Sequence, residues 1–326
     1  MYKLVISIVT YNSARVIEKC ISSILSQNYN NYKIVVFDNN SSDNTYELIE
    51  RFKDSRFELI KSDINLGYCG GHNFVINNTS SEYILLVNPD VIMLPNYIHN
   101  ALNIMDQDSS IGTLCGLLLQ NCINDTHCII DGAGLNLNKD RTFSLRYHNR
   151  ELGEVDLYTE EVAGADGALP LYRRKMIEDI KINGNFFDSS FFMHKEDWDV
   201  SWRSIHRGWK TVFAPQCIAI HPRTFRKDNR ENIDDYLKYH SKKNELVVLF
   251  SNEYFVNILL DIVFIVCRMF QTLLYTIIFE PRTIRYINYI IKNIHYVYKR
   301  RKIILRRSIQ KPTLIREIIF RKKYNN

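Results

Sequence analysis

The first 120 residues alternate short apolar, β-branched runs with segments in which apolar residues recur every three or four positions. The short runs are typical of buried strands, and the longer spacing is typical of amphipathic helices. The pattern predicts strands at residues 4–9, 33–37, 57–60, 83–87 and 111–118, and helices at residues 16–25, 42–51, 71–77 and 97–105. Strands that alternate with helices predict an α/β fold whose mostly parallel sheet is covered on both faces.

The ends of four predicted strands are unusually polar. Clusters of amides, hydroxyls and carboxylates begin at Thr10, Asp38, Asn65 and Asn88. Because ligands of parallel sheets bind beyond the carboxyl ends of the strands, these clusters predict a site for a base, a sugar and a diphosphate. Each cluster alone could instead cap a helix or form a turn. The glycines at residues 67–71 lack the G-x-G-x-x-G spacing of a dinucleotide fingerprint.

Length and composition limit the possibilities further. The 326 residues exceed the roughly 250–300 at which one core stops growing, so we expect a large domain and a smaller appended region. Apolar residues make up 46% and charged residues 24%, which excludes collagen-like, low-complexity and disordered chains. The seven cysteines form no C-x-x-C pair, which argues against a disulfide scaffold or zinc ribbon and favours a reducing cytoplasm. The N-terminal segment has no small-residue cleavage site, so we expect no secretory signal.

Five ordered sequence blocks carry a family resemblance. They lie at residues 7–13, 36–43, 65–73 and 86–90, and the fifth is formed by residues 164–169 and 191–203. Over about residues 3–250 the chain resembles glycosyltransferase family 2, and within it a rhamnosyltransferase-like branch. The resemblance implies a GT-A fold over residues 1–235, a nucleotide-sugar donor, a divalent metal (Mg²⁺ or Mn²⁺) and an inverting transfer.

The resemblance assigns the nucleotide-sugar contacts to Thr10, Asn12, Asp38, Asn65, Gly67 and Asp90. Asp38 matches the family's base-contacting Asp, and a carboxylate is a suitable acceptor for the N3–H of a pyrimidine. Thr10 and Asn12 match the segment that lines the nucleotide. Asn65 and Gly67 are expected near the base and ribose, where glycine permits close backbone approach.

Asp90 and His221 are the residues that the resemblance assigns to the metal. Mg²⁺ or Mn²⁺, bound by carboxylates and phosphate oxygens, would neutralise the leaving diphosphate. The sequence departs from the family's D-x-D motif at Asn88, which removes one charge from the site. For His221 the alternative is a histidine that is only hydrogen-bonded in the loop before Pro222.

Asp197 is the candidate general base. An inverting displacement needs one carboxylate to take the proton of the acceptor hydroxyl, and Glu196-Asp197 matches the family's E-D block at the start of a predicted helix. The alternative is an acidic helix N-terminus without a catalytic role. Asp199 and Arg203 are four residues apart, so we expect them to pair on the helix surface.

The three tryptophans are further candidates for the acceptor site. Trp198, Trp202 and Trp209 could stack on an acceptor sugar. The helical spacing of the first two favours core packing for at least one of them.

Residues 236–326 differ in character from the rest of the chain. Residues 236–250 are predicted to be helical, and the apolar segment 254–279 has a longest charge-free run of 11 residues, against the roughly 18 expected of a spanning helix. On a helical projection its polar residues form one narrow stripe, made of Glu253, Asn257, Asp261, Arg268 and Gln271. A helix of this kind is suited to lie in a membrane interface or to pack against neighbouring helices.

The positive charge is concentrated at the C-terminus. Residues 282–326 hold 14 Lys and Arg against one acidic residue, Glu317, whereas the remaining residues carry a net charge of −7. A basic segment rich in aromatics suits an anionic membrane surface first, a solvated helical face second and single-stranded nucleic acid last. We therefore predict an amphipathic, basic, membrane-associating helical region over residues 236–326, no nucleic-acid partner, and a peripheral location on the inner face of the cytoplasmic membrane.

Together these features predict an inverting, metal-dependent glycosyltransferase that moves a hexose or deoxyhexose to a lipid-linked glycan in surface polysaccharide synthesis. The branch resemblance favours dTDP-rhamnose as the donor, and other UDP- or dTDP-linked hexoses stay open. The alternative is a catalytically silent sugar- or nucleic-acid-binding protein on the same fold, for which Asn88 is the only hint.

Overall fold

The structure contains all the strands and helices that the sequence predicts over its first 120 residues. The computed structural model describes residues 2–123, 127–222 and 233–321. The strands are β1 (Leu4–Thr10), β2 (Tyr32–Asp38), β3 (Phe57–Lys61), β4 (Tyr83–Val87), β5 (Ile92–Met93), β6 (Ile111–Ile123), β7 (His127–Gly132), β8 (Leu135–Leu137), β9 (Phe143–Leu145), β10 (Glu160–Val162), β11 (Leu171–Arg173) and β12 (Lys210–Ile220). The helices are α1 (Ile17–Leu25), α2 (Thr45–Glu50), α3 (Gly67–Asn78), α4 (Tyr97–Gln107), α5 (Arg174–Ile180), α6 (Glu196–His206), α7 (Asp235–Asn252), α8 (Phe255–Leu260), α9 (Ile262–Phe279), α10 (Arg285–Lys292), α11 (Ile294–Arg307) and α12 (Pro312–Arg321).

One large sheet organises the chain, in the order β10-β12-β6-β11-β4-β1-β2-β3. Strand β1 pairs in parallel with β2 and β4, and β12 pairs in parallel with β6. Strand β11 is antiparallel to both β4 and β6, which leaves these two strands with the same direction. The mostly parallel sheet predicted from the sequence is therefore confirmed, and the carboxyl ends of β1, β2, β4 and β12 lie at one edge.

Helices cover both faces of this sheet. Alternate residues of β1 point to opposite faces: Leu4 and Ile6 pack in one buried layer with α1, and Val5 packs in another with Val75 of α3. A third buried cluster contains Trp202 of α6 and reaches into α7 and the helices after it. The C-terminal helices therefore complete a core that begins in the first part of the chain.

The apolar segment after Tyr254 is two helices, although the continuous polar stripe predicted one. Helices α8 and α9 meet at Asp261, whose backbone is non-helical with φ −117° and ψ 21°. The Asp261 carboxylate lies 2.8 Å from Nη2 of Arg141 and 3.1 Å from Nη2 of Arg316. These two ion pairs stabilise the break, and the one-helix prediction was wrong because neither arginine is local to the segment.

The described cysteines are mostly isolated thiols. Cys20, Cys69, Cys115 and Cys217 are free and buried, and Cys267 is free and exposed. Cys128 is disulfide-bonded, which the cysteine spacing did not predict.

Candidate active site

Thr10 and Asp38 form a hydrogen-bonded unit at the edge of the sheet. They are paired across β1 and β2, and both are fully buried. Oδ1 of Asp38 accepts from Oγ1 of Thr10 at 3.1 Å and from Oγ of Ser41 at 2.5 Å, and Oδ2 accepts from the Ser41 backbone N–H at 3.1 Å. Three donors therefore hold this carboxylate in one orientation.

Asn12, Asn65 and Gly67 shape the loops beside this unit. Oδ1 of Asn12 accepts from the backbone N–H of Ser42 at 2.8 Å, and Oδ1 of Asn65 accepts from that of Gly67 at 2.9 Å. Gly67 is left-handed at φ +71°, and a Cβ there would lie 2.3 Å from the carbonyl oxygen of Phe192. Close packing against Phe192 therefore requires a glycine at this position. The sequence predicted a different reason for the glycine, namely a contact with the ligand. Helix α3 begins at this residue, four residues earlier than the apolar spacing indicated.

Asp90 and His221 lie side by side although they are distant in the chain. Strand β5, just after Asp90, pairs with the last residues of β12, just before His221. Nε2 of His221 lies 3.5 Å from Oδ1 of Asp90, and Nδ1 lies 2.8 Å from Oδ2 of Asp131. A carboxylate that holds one ring nitrogen of a histidine directs the other nitrogen toward a metal. The two predicted metal ligands thus converge, with the fully buried Asp131 behind them.

Asp131 was not predicted from the sequence. It follows the apolar residues Ile129 and Ile130 in β7 and belongs to none of the five family-like blocks. Burial lowers the pKa of His221, but hydrogen bonds to Asp131 and Asp90 outweigh that effect and raise the pKa to about 9. A metal that binds Nε2 must displace a proton, so metal affinity is expected to fall as the pH falls.

Asp197 lies in the first turn of α6, and two strained residues directly precede this helix. His194 and Lys195 both have left-handed backbones, at φ 70° and 68°. Non-glycine residues in this region cost free energy, so the surroundings must hold them in place. Nδ2 of Asn244 in α7 does this by donating to the carbonyls of Met193 at 3.0 Å and His194 at 2.7 Å.

The loop between β10 and β11, residues 163–170, lies between the candidate metal ligands and the candidate base, and we call it the Asp166 loop. Burial lowers the pKa of His221 and raises that of Glu196, and the charge of Asp166 raises the pKa of both groups. The next residue, Gly167, is so close to α6 that a Cβ there would lie 3.8 Å from Cβ of Asp197. The metal-ligand candidates and the candidate base therefore lie around one short loop.

Glu196 is the buried neighbour of the candidate base. It is 8% exposed, and its Oε2 has no hydrogen-bond partner among the described residues. Burial, and then the charge of Asp197, raise the pKa of Glu196 to about 8. Glu196 therefore keeps its proton at neutral pH and is unsuited to act as a base there.

Glu196→Gln is expected to change how stability depends on pH. The folded pKa of about 8 lies above the ordinary 4.5, so the folded protein holds an extra proton between these values. The contribution of Glu196 to the free energy of unfolding is largest below pH 4.5. It falls as the pH rises toward 8, by at most about 1.4 kcal/mol per pH unit. Gln imitates the protonated acid, so the gain in Tm over wild type should grow from pH 5 to pH 8. An equal Tm difference at both pH values in thermal unfolding would contradict the assignment.

Arg300 of α11 joins both ends of the segment that carries Asp197. Its Nε lies 2.6 Å from Oδ2 of Asp188, and its Nη2 lies 2.6 Å from Oδ2 of Asp199. Asp199 also binds Nε of Arg203 at 2.8 Å, with both side chains almost fully buried. The expected pair is therefore confirmed, but its expected surface position was wrong, because α7 and α11 both contact it. Removal of one partner from such a buried pair typically costs about 3–5 kcal/mol, so α11 is part of the scaffold of this site.

Comparisons with known proteins identify the family. Residues 5–181 match the family model "Glycosyl transferase family 2". The chain is 32% identical over 96 residues to the Escherichia coli protein named UDP-Glc:alpha-D-GlcNAc-diphosphoundecaprenol beta-1,3-glucosyltransferase WfgD, a match covering 29% of this chain and 38% of that relative. It is 24% identical over 238 residues to an uncharacterized glycosyltransferase of Haemophilus influenzae, which covers 72% of this chain and 68% of the relative. The chain thus matches well under half the length of the E. coli relative.

Two solved structures share the fold. A mannosyltransferase, PcManGT from Pyrobaculum calidifontis in complex with GDP-Man and Mn²⁺, superposes with a TM-score of 0.53 at 16% identity, over 76% of this chain and 63% of that one. GalNAc-T7 with UDP, GalNAc and Mn²⁺ gives a TM-score of 0.59 at 14% identity, over 76% of this chain and 48% of that one. The fold is therefore the α/β GT-A fold, and since the family model covers more than half of the sequence, the chain belongs to glycosyltransferase family 2.

Proposed function

We propose that the protein is an inverting glycosyltransferase that moves a hexose from a nucleotide sugar to a lipid-linked glycan. The observation that carries this proposal is the convergence of Asp90, His221 and Asp197 around the Asp166 loop. A site of this kind has groups for the leaving diphosphate on one side and a carboxylate for the acceptor hydroxyl on the other.

Asp90 and His221 are proposed to hold Mg²⁺ or Mn²⁺ together with donor phosphate oxygens. Among the described residues no group of three or more His, Cys, Asp or Glu side chains could enclose a metal. A site with two protein ligands suits a divalent cation that also binds substrate phosphates. Bound there, the metal would neutralise charge on the leaving diphosphate. Asp131 keeps the His221 ring in the orientation that such binding needs.

The donor is proposed to be UDP-glucose or a related nucleotide hexose. The E. coli relative is named for UDP-Glc as donor and a GlcNAc-diphosphoundecaprenol acceptor, and the resemblance to a rhamnosyltransferase-like branch supports dTDP-rhamnose as the second candidate. The Asp38 carboxylate, which Thr10 orients at the strand edge, would accept a hydrogen bond from the N3–H of the nucleobase. Uracil and thymine both carry this N–H.

A panel of nucleotide sugars with Mn²⁺ tests this function and the choice of donor. We expect UDP-glucose, or failing that dTDP-rhamnose, to raise the Tm and to be hydrolysed slowly without acceptor. ADP-glucose is the matched control, since a purine offers a different hydrogen-bonding edge to Asp38. A catalytically silent protein would show stabilisation by a donor with no hydrolysis and no transfer.

A membrane-facing surface supports the lipid-linked acceptor. We define the outward apolar face as the exposed apolar side chains of α8 and α9, among them Phe255 (65% exposed), Val263 (67%), Phe270 (58%) and Phe279 (67%). Contiguous exposed apolar surface on this scale marks a protein or membrane contact. The basic residues that follow suit anionic lipid headgroups.

The first part of the polar stripe (Glu253, Asn257 and Asp261) points into the protein, whereas Gln271 at its other end is exposed. Glu253 and Asp261 are buried in ion pairs with Arg141, and Asn257 is buried beside them. At the other end of α9, Glu280 lies 2.6 Å from Nζ of Lys242 and is also buried. The sequence predicted a helix that lies in a membrane interface or packs against its neighbours, and the buried part of the stripe packs against other elements of the protein.

These contacts support a helix that lies in the plane of the membrane. By length and composition α9 could cross a bilayer, and only 11% of it is buried in the structure. Crossing would separate Asp261 and Glu280 from Arg141 and Lys242, and would leave charges without partners. We therefore propose peripheral binding on the cytoplasmic face of the membrane through the outward apolar face.

Liposome flotation measures this binding. The protein is expected to float with phosphatidylglycerol vesicles at low salt and to be partly released at high salt, because salt screens the basic residues. Phe270→Asp with Phe279→Asp should abolish flotation, since both side chains are exposed on the outward apolar face. Tyr158→Asp is the matched control, because Tyr158 is as exposed as Phe279 (67% each) but lies outside residues 236–326. Flotation by the double variant equal to that of the control would contradict the membrane proposal.

A further inference from the structure

A cavity lies against the β8–β9 hairpin, and neither Thr10 nor Asp38 lines it. Its volume is about 590 Å³, within the range of small-ligand pockets. The hairpin, the edge strand β10, the start of β12, the last turn of α6 and α12 form its walls. Its lining residues lie between positions 136 and 318, and none of the nucleotide-sugar residues predicted from the sequence is among them.

The polar residues of this cavity have unused hydrogen-bonding capacity. Asn136, Arg150 and Glu161 line it, and none of the three side chains has a hydrogen-bond partner among the described residues. Asn136 stands directly opposite Ser144 in the β8–β9 pair, which places two small polar side chains next to each other. Groups of this kind suit the hydroxyl and amide groups of a sugar.

Trp209 and Tyr147 give the cavity aromatic surface. Trp198 and Trp202 are buried in the core, so Trp209 is the half-buried tryptophan of the three. Its indole N–H already donates to Oδ2 of Asp179 at 2.8 Å, which fixes the ring and leaves its faces for apolar contact. Tyr147 has a left-handed backbone at φ 55°, and such strain in a non-glycine residue is frequent at ligand sites.

The charges of the cavity balance each other. Arg146, which is 8% exposed, pairs with Glu160 at 2.5 Å and donates to the carbonyl of Ala133 at 3.1 Å. Arg150 and Glu161 add one charge of each sign. A site with equal positive and negative charge favours a neutral ligand over a phosphate or a sulfate.

The cavity reaches close to the reaction centre at two points. His148 lines it, and its Nδ1 lies 2.7 Å from the carbonyl oxygen of Asp131, the residue whose carboxylate holds His221. Ala163 also lines the cavity and begins the loop that reaches Gly167 beside Asp197. The cavity is therefore linked to the reaction centre through Asp131 and through the loop that carries Asp166.

From this geometry we infer that the cavity is a binding subsite for a neutral oligosaccharide, namely the part of the acceptor glycan that lies beyond the sugar being extended. This inference rests on the proposed function, because the bound glycan is taken to be the acceptor. The subsite would let the enzyme select acceptors of sufficient length, and it would contribute to acceptor KM more than to donor binding.

Ligand-observed NMR on the full chain tests the subsite without requiring activity. The probes are neutral di- to tetrasaccharides of glucose, galactose, rhamnose and N-acetylglucosamine, with inorganic phosphate as the anionic probe. We expect at least one oligosaccharide to bind with a Kd in the millimolar range, about −4 kcal/mol. Asn136→Ala with Arg150→Ala should weaken it about 10-fold or more, since two hydrogen bonds to ligand are lost. Glu154→Ala is the matched control, because Glu154 is exposed and lies outside the cavity.

The outcomes separate the subsite from the proposed function. Absence of binding by every oligosaccharide, equal binding by the double variant and the control, or competition by phosphate would each overturn the subsite. Donor hydrolysis and UDP-sugar stabilisation in the same preparations report the reaction centre. If oligosaccharides bind at the cavity while no nucleotide sugar binds or is hydrolysed, the proposed function fails instead.

Discussion

Asp197→Asn is expected to lower the turnover number by about 10²–10⁴, the usual contribution of a general base, and to leave donor binding within a few-fold. Asn has the size of Asp but cannot take the proton of the acceptor hydroxyl. The neighbouring carboxylates cannot replace it. Burial keeps a proton on Glu196 through a pKa of about 8, and Asp199 is bound by Arg203 and Arg300. Steady-state transfer to a lipid-linked acceptor and calorimetric donor binding measure the two effects separately.

Two variants sharpen this experiment. Asp156→Asn makes the same chemical change at an exposed loop residue and should keep the wild-type rate. Glu196→Gln should retain most activity near neutral pH, because Gln imitates the protonated acid already present there. Turnover near the wild-type value in Asp197→Asn would place the base elsewhere.

Asp90→Ala is expected to weaken donor binding and turnover together, and a chelator should have the same effect on the wild-type protein. Both treatments remove the cation that would hold the diphosphate and stabilise its leaving charge. Asp131→Asn should produce a smaller loss of about 10–100-fold in metal affinity, because Asp131 acts through the orientation of His221. Metal titration followed by Mn²⁺ electron paramagnetic resonance, with and without donor, measures these affinities.

The control for the metal experiment is Asp156→Asn, which changes a carboxylate outside the site. Full activity in excess chelator would show that no metal takes part. Basic side chains would then have to hold the diphosphate, and Arg223 and Arg226 are the candidates in the sequence, both outside the described residues.

Local pattern was sufficient for the first half of the fold. Apolar runs such as residues 83–87 are buried strands in the structure, with the same bounds. Parallel strands require their carboxyl ends to meet, so the sequence alone places the polar clusters at Thr10 and Asp38 at one edge. Asp90 and His221 were singled out by family resemblance, and their 3.5 Å approach depends on the pairing of β5 with β12.

Local pattern could not reveal which distant residues complete the site. Asp131, Asn244 and Arg300 belong to no motif, and each acts on a residue far away in the chain: His221, His194 and Asp199. The pair of Asp199 and Arg203 has the spacing of a surface pair, but contacts from Asn252 of α7, Arg300 of α11 and the carbonyl oxygen of Phe186 bury it. Burial of charge depends on what packs over it, which sequence spacing does not record.

The sequence by itself determined the α/β class, the order of the strands and helices in the first part of the chain, and a polar edge with candidate chemistry. It also determined that α8 and α9 have one polar and one apolar side. Only the tertiary structure decided which side faces outward, because Arg141 and Lys242, from other elements, pair with Asp261 and Glu280. A buried charge needs a partner, and once the partners lie inside the protein the apolar side must face outward.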